Sequence, residues 1–321
     1  MELRPLRYFV VTAEELNITR AAKRLNITQP PLSNQLKALE EELGTVLFIR
    51  GKRRLTLTEE GEILLRRANQ ILELADKTTQ ELAAMRYGLS GTISVAMVEG
   101  RAPFLTARWI NGFREEYPNV RYNLWNGSSD EALERIKDGL ADVAVVAAPF
   151  DGVELNSIKV GWEPWVAIMS CSNPLALIEK KELSLEELSK HPLIVPSRKS
   201  RIRAILDWFA EVGCEPEIFC EMSNYVDAVA LAELDVGICI FPQTTYTPNP
   251  LTVTKIIAPH SRRVEYYLVW SKRSKPTELT QAYIDFVSDY IENGKMKAAS
   301  FSVPDWDDVL KEAGVKPKNT L

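Results

Sequence analysis

The chain has 321 residues, of which 39 are Lys or Arg and 44 are Asp or Glu, so its formal net charge is −5. A hydrophobic share of 45% and a charged share of 26% are typical of an ordinary globular protein and exclude collagen-like, mucin-like and wholly disordered chains. No stretch reaches the roughly 18 uninterrupted apolar residues of a membrane span, and the N-terminus lacks the apolar core of a signal peptide. We therefore expect a cytoplasmic protein without a membrane partner, folded into about two or three units.

The four cysteines are not spaced as metal ligands. Cys171, Cys214, Cys220 and Cys239 form no Cys-x-x-Cys pair and lie far from metal-ligand spacing with either histidine. This pattern predicts buried thiols in a reducing compartment and argues against a zinc site. We expect no metal ion and no cofactor.

Charge divides unevenly along the chain. Residues 1–57 contain ten Lys or Arg and six Asp or Glu, a net charge of +4, which leaves −9 for the rest. A small basic part joined to a larger acidic part suggests that the basic part meets an acidic polymer. An excess of this size can arise by chance, so the suggestion depends on a matching shape.

The first 57 residues have the spacing of a helix-turn-helix. Apolar residues at helical spacing predict a first helix that ends near Glu15, and a second, short helix covers residues 20–25 with Thr19 as its cap. A third helix begins after Thr28, has Pro30 in its first turn and ends at Gly44. In such a motif the later helix can enter a major groove about 12 Å wide. The alternative is a solvated amphipathic helix within a larger helical domain.

Polar side chains suited to base recognition lie off the predicted buried stripe of the third helix. Gln29, Ser33 and Lys37 recur at every fourth position, and Gln or Asn can form paired hydrogen bonds with an adenine edge. Two short apolar stretches within residues 47–57 then flank a basic turn, which predicts a two-stranded wing for phosphate or minor-groove contact. The residues predicted to contact DNA are Thr19, Arg20, Thr28, Gln29, Pro30, Ser33, Asn34, Gln35, Lys37, Arg50, Lys52, Arg53 and Arg54.

This segment resembles the winged helix-turn-helix of LysR-type transcriptional regulators. The resemblance rests on the runs Asn17-Ile18-Thr19-Arg20-Ala21-Ala22, Leu25-Asn26-Ile27-Thr28-Gln29-Pro30-Pro31-Leu32-Ser33, Gln35-Leu36-Lys37-Ala38-Leu39-Glu40 and Leu57-Thr58-Glu59-Glu60-Gly61. Asn34 departs from it, because the family commonly has Arg or Lys there. The resemblance implies sequence-specific binding of double-stranded promoter DNA under the control of a small-molecule effector, with RNA polymerase as a further partner.

A long helix is predicted after the wing, with Thr58 as its cap and acidic residues in its first turn. It should run to Tyr87 and stop at Gly88, a length of roughly 44 Å. Apolar and small residues in steps of four and three predict the seam of a two-stranded coiled coil, and the alternative is a helix packed on its own domain. The seam residues are Leu64, Ala68, Ile71, Ala75, Thr78, Leu82 and Met85. The resemblance implies that this helix pairs subunits into a homodimer or homotetramer.

From residue 91 onward, predicted strands alternate with helices in two successive units, which indicates parallel α/β sheets. They resemble the two-lobed, periplasmic-binding-protein-like effector domain of the same family, with chain crossings near 160–170 and 265–275. The predicted fold class is therefore α/β, with an N-terminal winged helix-turn-helix, a long linker helix and this effector domain. The predicted boundaries are 1–57 for DNA binding, 58–88 for the linker and dimerisation helix, and 89–295 for the effector domain, with lobe 1 at about 91–162 and 268–295, lobe 2 at about 163–267, and an extension of unassigned role at 296–321.

Ligands of such folds bind at the carboxyl ends of the strands, between the lobes. The predicted effector-binding residues are Glu99, Gly100, Arg101, Asn126, Ser128, Ser129, Phe150, Ser197, Arg198, Phe241 and Pro242. Ser197 precedes a helix N-terminus that favours an anion, and the arginines nearby suggest a negatively charged effector. Ordinary helix capping is an equally open interpretation for any single one of these serines.

Catalysis finds no support in the sequence. The Gly-x-Ser-x-Gly elbow, the phosphate-binding loop and the dinucleotide-binding glycine motif are all missing, so no catalytic residue is predicted. The competing hypotheses are a DNA-binding regulator, a small-molecule-binding protein with another use for its basic face, and an enzyme fused to a DNA-binding module. We expect the first, located in the cytoplasm on the nucleoid.

Overall fold

The computed structural model describes residues 2–51, 54–84, 90–243, 251–259 and 262–292, with the side chains at 50 and 80–84 left aside. The chain divides into two compact units, Met1–Thr92 with Asp138–Leu140, and Ile93–Lys137 with Ala141–Leu321. Within the described ranges, no helix is both long and apolar enough to cross a membrane.

The first unit consists of four helices and a small hairpin. These elements are α1 (Leu3–Glu15), α2 (Ile18–Arg24), α3 (Gln29–Leu43), β1 (Phe48–Arg50), β2 (Leu55–Leu57) and α4 (Glu59–Ala84), with β1 and β2 antiparallel. Leu6 and Phe9 of α1 lie in one buried cluster with Leu32 and Leu39 of α3, and the Phe9 ring lies 5.3 Å from that of Phe48 in the hairpin. The predicted helix-turn-helix and wing are confirmed, because the apolar stripes of these elements meet in a single core.

The caps of the early helices differ from the predicted ones. Asn17, not Thr19, caps α2, because its side-chain oxygen accepts a hydrogen bond from the Arg20 amide at 3.0 Å. The helix therefore begins at Ile18. Thr28 stands at the cap position of α3 as predicted, but its side chain makes no capping hydrogen bond. Gly44 ends α3 in the left-handed region, with φ of 67°, which glycine adopts without strain.

Helix α4 begins where the sequence predicts, because the Thr58 hydroxyl accepts a hydrogen bond from the Gly61 amide at 2.9 Å. The described part of this helix ends at Ala84. The predicted end at Tyr87 and Gly88 lies outside the described residues, as does the extension at 296–321.

The second unit is a two-lobed α/β domain. Its strands are β3 (Gly91–Val98), β4 (Val120–Gly127), β5 (Val143–Ala147), β6 (Leu155–Ser170), β7 (Glu182–Leu183), β8 (Pro192–Pro196), β9 (Glu217–Met222), β10 (Ile238–Pro242), β11 (Thr252–Ile257) and β12 (Arg263–Ser271). Its helices are α5 (Ala102–Glu116), α6 (Ser129–Lys137), α7 (Leu185–Leu188), α8 (Lys199–Glu211), α9 (Tyr225–Glu233) and α10 (Glu278–Glu292). The strands follow the order β4-β3-β5-β12-β6-β10-β8-β9, so one continuous path of strands runs through both lobes.

Strand β6 joins the lobes. Its first part pairs with β12 from Leu155 to Pro164, and its second part pairs with β10 from Trp165 onward. The first chain crossing therefore falls within the predicted range of 160–170. We call lobe 1 the part built on β4, β3, β5, β12 and the start of β6, and lobe 2 the remainder of the domain.

The predicted second crossing was placed too late in the chain. Strand β12 pairs with β5 and with the lobe 1 part of β6 from Arg263 onward, so the chain has returned to lobe 1 before residue 265. The predicted boundary at 267 and 268 is wrong for this reason. All residues of β12 from Arg263 to Ser271 pair with the part of β6 from Pro164 back to Leu155, which places the whole strand in the lobe 1 sheet.

Candidate functional site

The predicted reading face of α3 is turned away from the core of the first unit. Gln29, Asn34, Gln35 and Lys37 are exposed and Ser33 is half-buried, whereas the leucine stripe of the same helix is buried. The exposed hydroxyl of Thr19 donates a hydrogen bond to Gln29 Oε1 at 3.2 Å, which ties the start of α2 to the start of α3. Among the described residues, the Gln29 amide nitrogen donates to no acceptor, so both of its hydrogens can meet a base edge.

Two basic residues near this face are partly neutralised. Lys37 forms an ion pair with Glu41 at 3.4 Å, one turn further along α3. Arg20 donates to the Glu15 carbonyl at 2.5 Å and lies 3.5 Å from the Glu15 carboxylate. Lys37, Glu41 and Arg20 are exposed and Glu15 is half-buried, so these pairs hold the basic side chains only weakly and leave them free to exchange partners. Thr28 and Pro30 are exposed beside them.

The two strands of the wing are joined by a hydrogen bond at their connected ends. The Gly51 amide donates to the Arg54 carbonyl at 3.1 Å, and a Cβ at residue 51 would lie 2.6 Å from that oxygen, so glycine is needed there. Arg54 is exposed, as a phosphate contact requires. The other predicted wing contacts, Lys52, Arg53 and the side chain of Arg50, lie outside the described residues.

Part of the predicted dimer seam on α4 packs within its own unit. Ala68 is completely buried, and Leu64 and Ile71 pack against the same cluster that holds the α1 and α3 stripes. For Ala68 the alternative interpretation holds, in which the helix packs on its own domain, whereas Leu64 and Ile71 are only half-buried. Helical periodicity predicts an apolar face, but it does not tell which partner covers that face.

The rest of the predicted seam is less enclosed. Ala75 is half-buried, and Thr78 is exposed with its hydroxyl donating to the Leu74 carbonyl at 2.8 Å. The side chain of Leu82 and all of Met85 lie outside the described residues. Among the side chains of α4 that the structure describes, the exposed large apolar ones are Ile63 and Leu74. Since they are three turns apart, they share one face of the helix.

The second unit contains a cleft of about 480 Å³ between its lobes, at the carboxyl ends of parallel strands. This volume lies within the range of roughly 300–1,000 Å³ found for small-molecule sites. Seven of the predicted effector-binding residues line it, namely Glu99, Gly100, Ser128, Ser129, Arg198, Phe241 and Pro242. The structure therefore brings the strand ends of both lobes together at one cavity.

Four predicted effector-binding residues do not line this cleft. Arg101 is buried at the start of α5, and Phe150 packs edge-on against Tyr267, with ring centroids 5.5 Å apart. Ser197 is exposed, and its amide donates to the Met222 carbonyl at 2.9 Å. Asn126 lines a neighbouring depression of about 490 Å³, which shares Glu99 with the cleft. The strand-end rule names positions along the chain but not the directions of their side chains.

Ser128 and Ser129, which line the cleft, both form hydrogen bonds within lobe 1. The Ser128 hydroxyl donates to Glu131 Oε2 at 2.6 Å and accepts from the Glu131 amide at 3.2 Å. The Ser128 amide also donates to Glu131 Oε2, at 2.8 Å, and the two hydrogen bonds from the Ser128 hydroxyl and amide hold the pKa of Glu131 below its usual value. The buried Ser129 hydroxyl accepts from the Ala147 amide at 3.1 Å, which links α6 to the end of β5. For both serines the capping or structural role is therefore present.

Arg198 joins the two lobes across the cleft. Its guanidinium donates to both carboxylate oxygens of Asp130, at 3.1 and 2.6 Å, and to the Pro149 carbonyl at 3.4 Å. Arg198 belongs to lobe 2 and Asp130 to lobe 1, so this ion pair spans the interlobe boundary. Asp130 is 66% exposed, which limits the contribution of the pair to stability.

A buried group of ionisable side chains lies behind the cleft. Tyr266 of β12 lines the cleft and donates a hydrogen bond to Glu163 of β6, which is completely buried. Burial raises the pKa of Glu163 to about 8, although the Tyr266 hydrogen bond and the charges of Arg101 and Arg201 oppose the shift. Burial also lowers the pKa of Arg101 to about 10. The second Glu163 oxygen, Oε2, has no hydrogen-bond partner among the described residues.

The Glu163 carboxyl predicts a pH-dependent stability. Because its folded pKa of about 8 exceeds the ordinary 4.5, folding favours its protonated form, and this contribution is lost as pH rises from about 4.5 through about 8. Glu163→Gln keeps an acceptor for Tyr266 without the charge. The advantage of the parent chain over the variant in urea unfolding should therefore be larger at pH 5.5 than at pH 8. If the difference in free energy of unfolding between the parent chain and Glu163→Gln did not change with pH, Glu163 would not be protonated in the folded protein.

Several cleft residues were not predicted from the sequence. Asn224, Tyr225 and Asp227 come from the first turn of α9, Arg201 comes from α8, and Tyr266 comes from β12. The α9 residues follow the end of β9, so the strand-end rule could have found them if applied to that strand. Arg201 and Tyr266 are brought in by helix direction and cross-strand register, which the sequence does not reveal.

The cysteines differ in part from the prediction. Cys239 is buried, and burial raises its pKa to about 12, but Cys171 is exposed and Cys214 and Cys220 are half-buried. Cys171 stands in the turn that follows β6 rather than within the strand, which explains its exposure. All four thiols are free. Among the described residues, no group of three or more His, Cys, Asp and Glu could hold a metal ion.

A helix-turn-helix with an exposed polar helix and wing, joined to a two-lobed domain with a ligand-sized cleft, defines the class of ligand-responsive DNA-binding regulators. The sequence matches the family described as "Bacterial regulatory helix-turn-helix protein, lysR family" over residues 3–62 and that described as "LysR substrate binding domain" over residues 86–292. The chain belongs to the LysR family of DNA-binding transcriptional regulators, and the family is not one of enzymes.

Known proteins agree with this assignment. The chain is 30% identical to the HTH-type transcriptional regulator BsdA of Bacillus subtilis (strain 168) over 254 residues, which cover 76% of this chain and 84% of BsdA. Among solved structures, the LysR family regulator CbnR superposes with a TM-score of 0.76 at 24% identity, covering 91% of this chain and 99% of CbnR. Full-length CbnR complexed with its target DNA gives a TM-score of 0.74 with the same identity and coverage.

Proposed function

We propose that this regulator reads operator DNA through α3 and the wing, and that a small molecule in the cleft between the lobes changes this binding. The observation that carries the proposal is the presence on one chain of an exposed polar helix face and a cleft of about 480 Å³ at the strand ends of a substrate-binding domain. Such a protein acts in the cytoplasm, on the nucleoid.

The contacts of α3 and the wing divide into two kinds. Gln29, with a free amide nitrogen and with Thr19 fixing its oxygen, is placed to read a base edge, and Ser33 follows one turn later on the same face. Arg54 in the wing is placed to contact phosphate, which supports affinity for any sequence. The fold similarity to CbnR, whose structure was determined with its target DNA, supports DNA binding by this chain.

A homodimer brings two reading helices to a two-fold operator. Helix α4 supplies a candidate surface, because Ile63 and Leu74 are exposed apolar residues on one face of a 26-residue helix. In this proposal, the face with Ile63 and Leu74 pairs the subunits in place of the predicted seam around Ala68, which packs within the chain's own unit. Pairing through it would leave the α3 faces free for adjacent half-sites.

An effector can change DNA binding only if it prefers one arrangement of the protein over another. A ligand in the cleft touches both lobes, because Ser129 belongs to lobe 1 and Phe241 to lobe 2. Its binding can therefore alter the angle between the lobes. The ion pair between Arg198 and Asp130 spans the same boundary and opposes opening.

The proposal is tested by selecting genomic DNA with the full-length protein. Fragments of the genome that encodes the chain are incubated with the protein, and the bound fragments are sequenced. We expect a few discrete sites with two-fold symmetry. The matched control carries Gln29→Ala with Ser33→Ala, and it should lose those sites while retaining general affinity for DNA. Identical fragments recovered by both proteins would overturn the role of α3.

A further inference from the structure

The cleft contains two carboxylates that have no partner among the described residues. Glu99 follows β3 in lobe 1, and Asp227 lies in the first turn of α9 in lobe 2. Neither side chain forms a hydrogen bond or an ion pair with any part of the chain that the structure describes. Burial raises the pKa of Glu99, and the negative charges of Asp227 and Glu131 raise it further. Glu99 and Asp227 therefore repel each other electrostatically across the cleft.

The cationic side chains at the cleft already have partners. Arg198 is held by both carboxylate oxygens of Asp130 and by a carbonyl. Arg201 lies over the Trp165 ring, with its guanidinium carbon 5.6 Å from the ring centroid, and burial lowers its pKa. An anionic ligand that binds Arg198 would have to displace Asp130, and it would approach Glu99 and Asp227 as well. The electrostatic balance of the cleft therefore disfavours the negatively charged effector suggested by the sequence.

Apolar and aromatic surface completes the cavity. Phe241 and Tyr225 meet edge-on with ring centroids 5.7 Å apart, and both line the cleft together with Tyr266. Val264 adds a further apolar side chain. Aromatic faces attract cations as well as apolar groups, so this wall suits the carbon skeleton of an organic cation.

We propose that the effector is a small organic cation whose ammonium or amidinium group lies between Glu99 and Asp227 and whose apolar part packs against Phe241, Tyr225 and Tyr266. This inference rests on the proposed function of the cleft and specifies the chemical class of its ligand. The cleft is a ligand site on separate grounds, namely its volume, its place at the strand ends and the family match over residues 86–292.

The two carboxylates also explain how such a ligand would act on the lobes. Without a cation, like charges on Glu99 and Asp227 oppose the approach of the lobes. A bound cation replaces this repulsion by two attractions, one to each lobe, and so favours the closed arrangement. The difference in affinity between open and closed lobes is what an effector needs in order to shift the protein between states.

The inference is tested on the full-length protein with three probes of matched size: phenethylammonium, phenethyl alcohol and phenylpropionate. Calorimetry should show phenethylammonium binding about tenfold or more tightly than the alcohol, because hydrogen bonds to charged groups are the stronger ones. Glu99→Gln should weaken that binding about tenfold, and the more exposed Asp227→Asn should weaken it by less. Glu134→Gln, an exposed carboxylate on α6 away from the cleft lining, is the matched control and should change nothing.

A second measurement needs no ligand. Glu99→Gln removes a like-charge repulsion, so the unfolding midpoint of the ligand-free domain should rise, whereas Glu134→Gln should leave it unchanged. Tighter binding of phenylpropionate than of phenethylammonium, failure of the ammonium to bind, or a lowered midpoint in Glu99→Gln would each overturn the inference. A different result would contradict the proposed function itself: a ligand that binds in the cleft but leaves the affinity for operator DNA unchanged.

Discussion

Gln29→Ala should weaken binding to the selected operator by about 1–3 kcal/mol, or roughly 5- to 150-fold, and should relax base preference at one position of each half-site. The expected loss is large because the Gln29 amide is exposed at the first turn of α3 and its oxygen is already positioned by Thr19. A side chain fixed in this way loses little entropy on binding a base edge. Binding to unrelated DNA should change far less.

Arg54→Ala is the contrasting variant. Its guanidinium is exposed on the wing and carries no information about sequence, so its loss should weaken all DNA alike. The slope of log affinity against log salt concentration should fall by about one unit. Fluorescence anisotropy with operator and scrambled duplexes at several salt concentrations measures both effects. If Gln29→Ala kept both its affinity and its preference, α3 would not be the reading helix.

Trp165→Ala should destabilise the effector-binding domain by about 3–5 kcal/mol, the usual cost of truncating a large buried aromatic side chain. Trp165 is 1% exposed and stands where β6 enters lobe 2. Its ring meets Trp208 at 5.0 Å in an edge-to-face arrangement and supports the guanidinium of Arg201. The truncation removes both interactions and leaves a cavity beside Arg201, which lines the cleft.

Tryptophan fluorescence reports this effect on one unit alone, because all seven tryptophans of the chain follow residue 108. Urea unfolding should show a lowered midpoint in the fluorescence signal. Trp162→Ala on the same strand is the control, since Trp162 is only half-buried and should lose much less stability. Equal losses in the two variants would show that burial at the crossing strand does not determine domain stability.

The sequence predicted the helices of the first unit well because their physical causes are local. Leu32, Leu36 and Leu39 define the buried stripe of α3, and Gly44 ends the helix through its left-handed backbone. The same periodicity misjudged α4, where Ala68 packs into the chain's own core. An apolar stripe predicts that one face of a helix is buried, but only the tertiary structure shows which residues bury it.

The cleft shows the same division between local and long-range causes. The strand-end rule placed Glu99, Ser129 and Phe241 at the cavity, because the carboxyl ends of parallel strands converge whatever the side chains are. It could not find the contact between Glu163 and Tyr266, since these residues are far apart in the sequence and meet only through the pairing of β6 with β12.

The most direct test of the central claim is a footprint of full-length protein on a selected operator, titrated with a ligand that raises the midpoint of the tryptophan-reported unfolding. The account predicts that the ligand changes operator affinity or the protected boundaries, and that operator DNA changes ligand affinity by the same factor, as linkage requires. A ligand that stabilises the domain through the cleft but alters neither affinity nor boundaries would contradict the account.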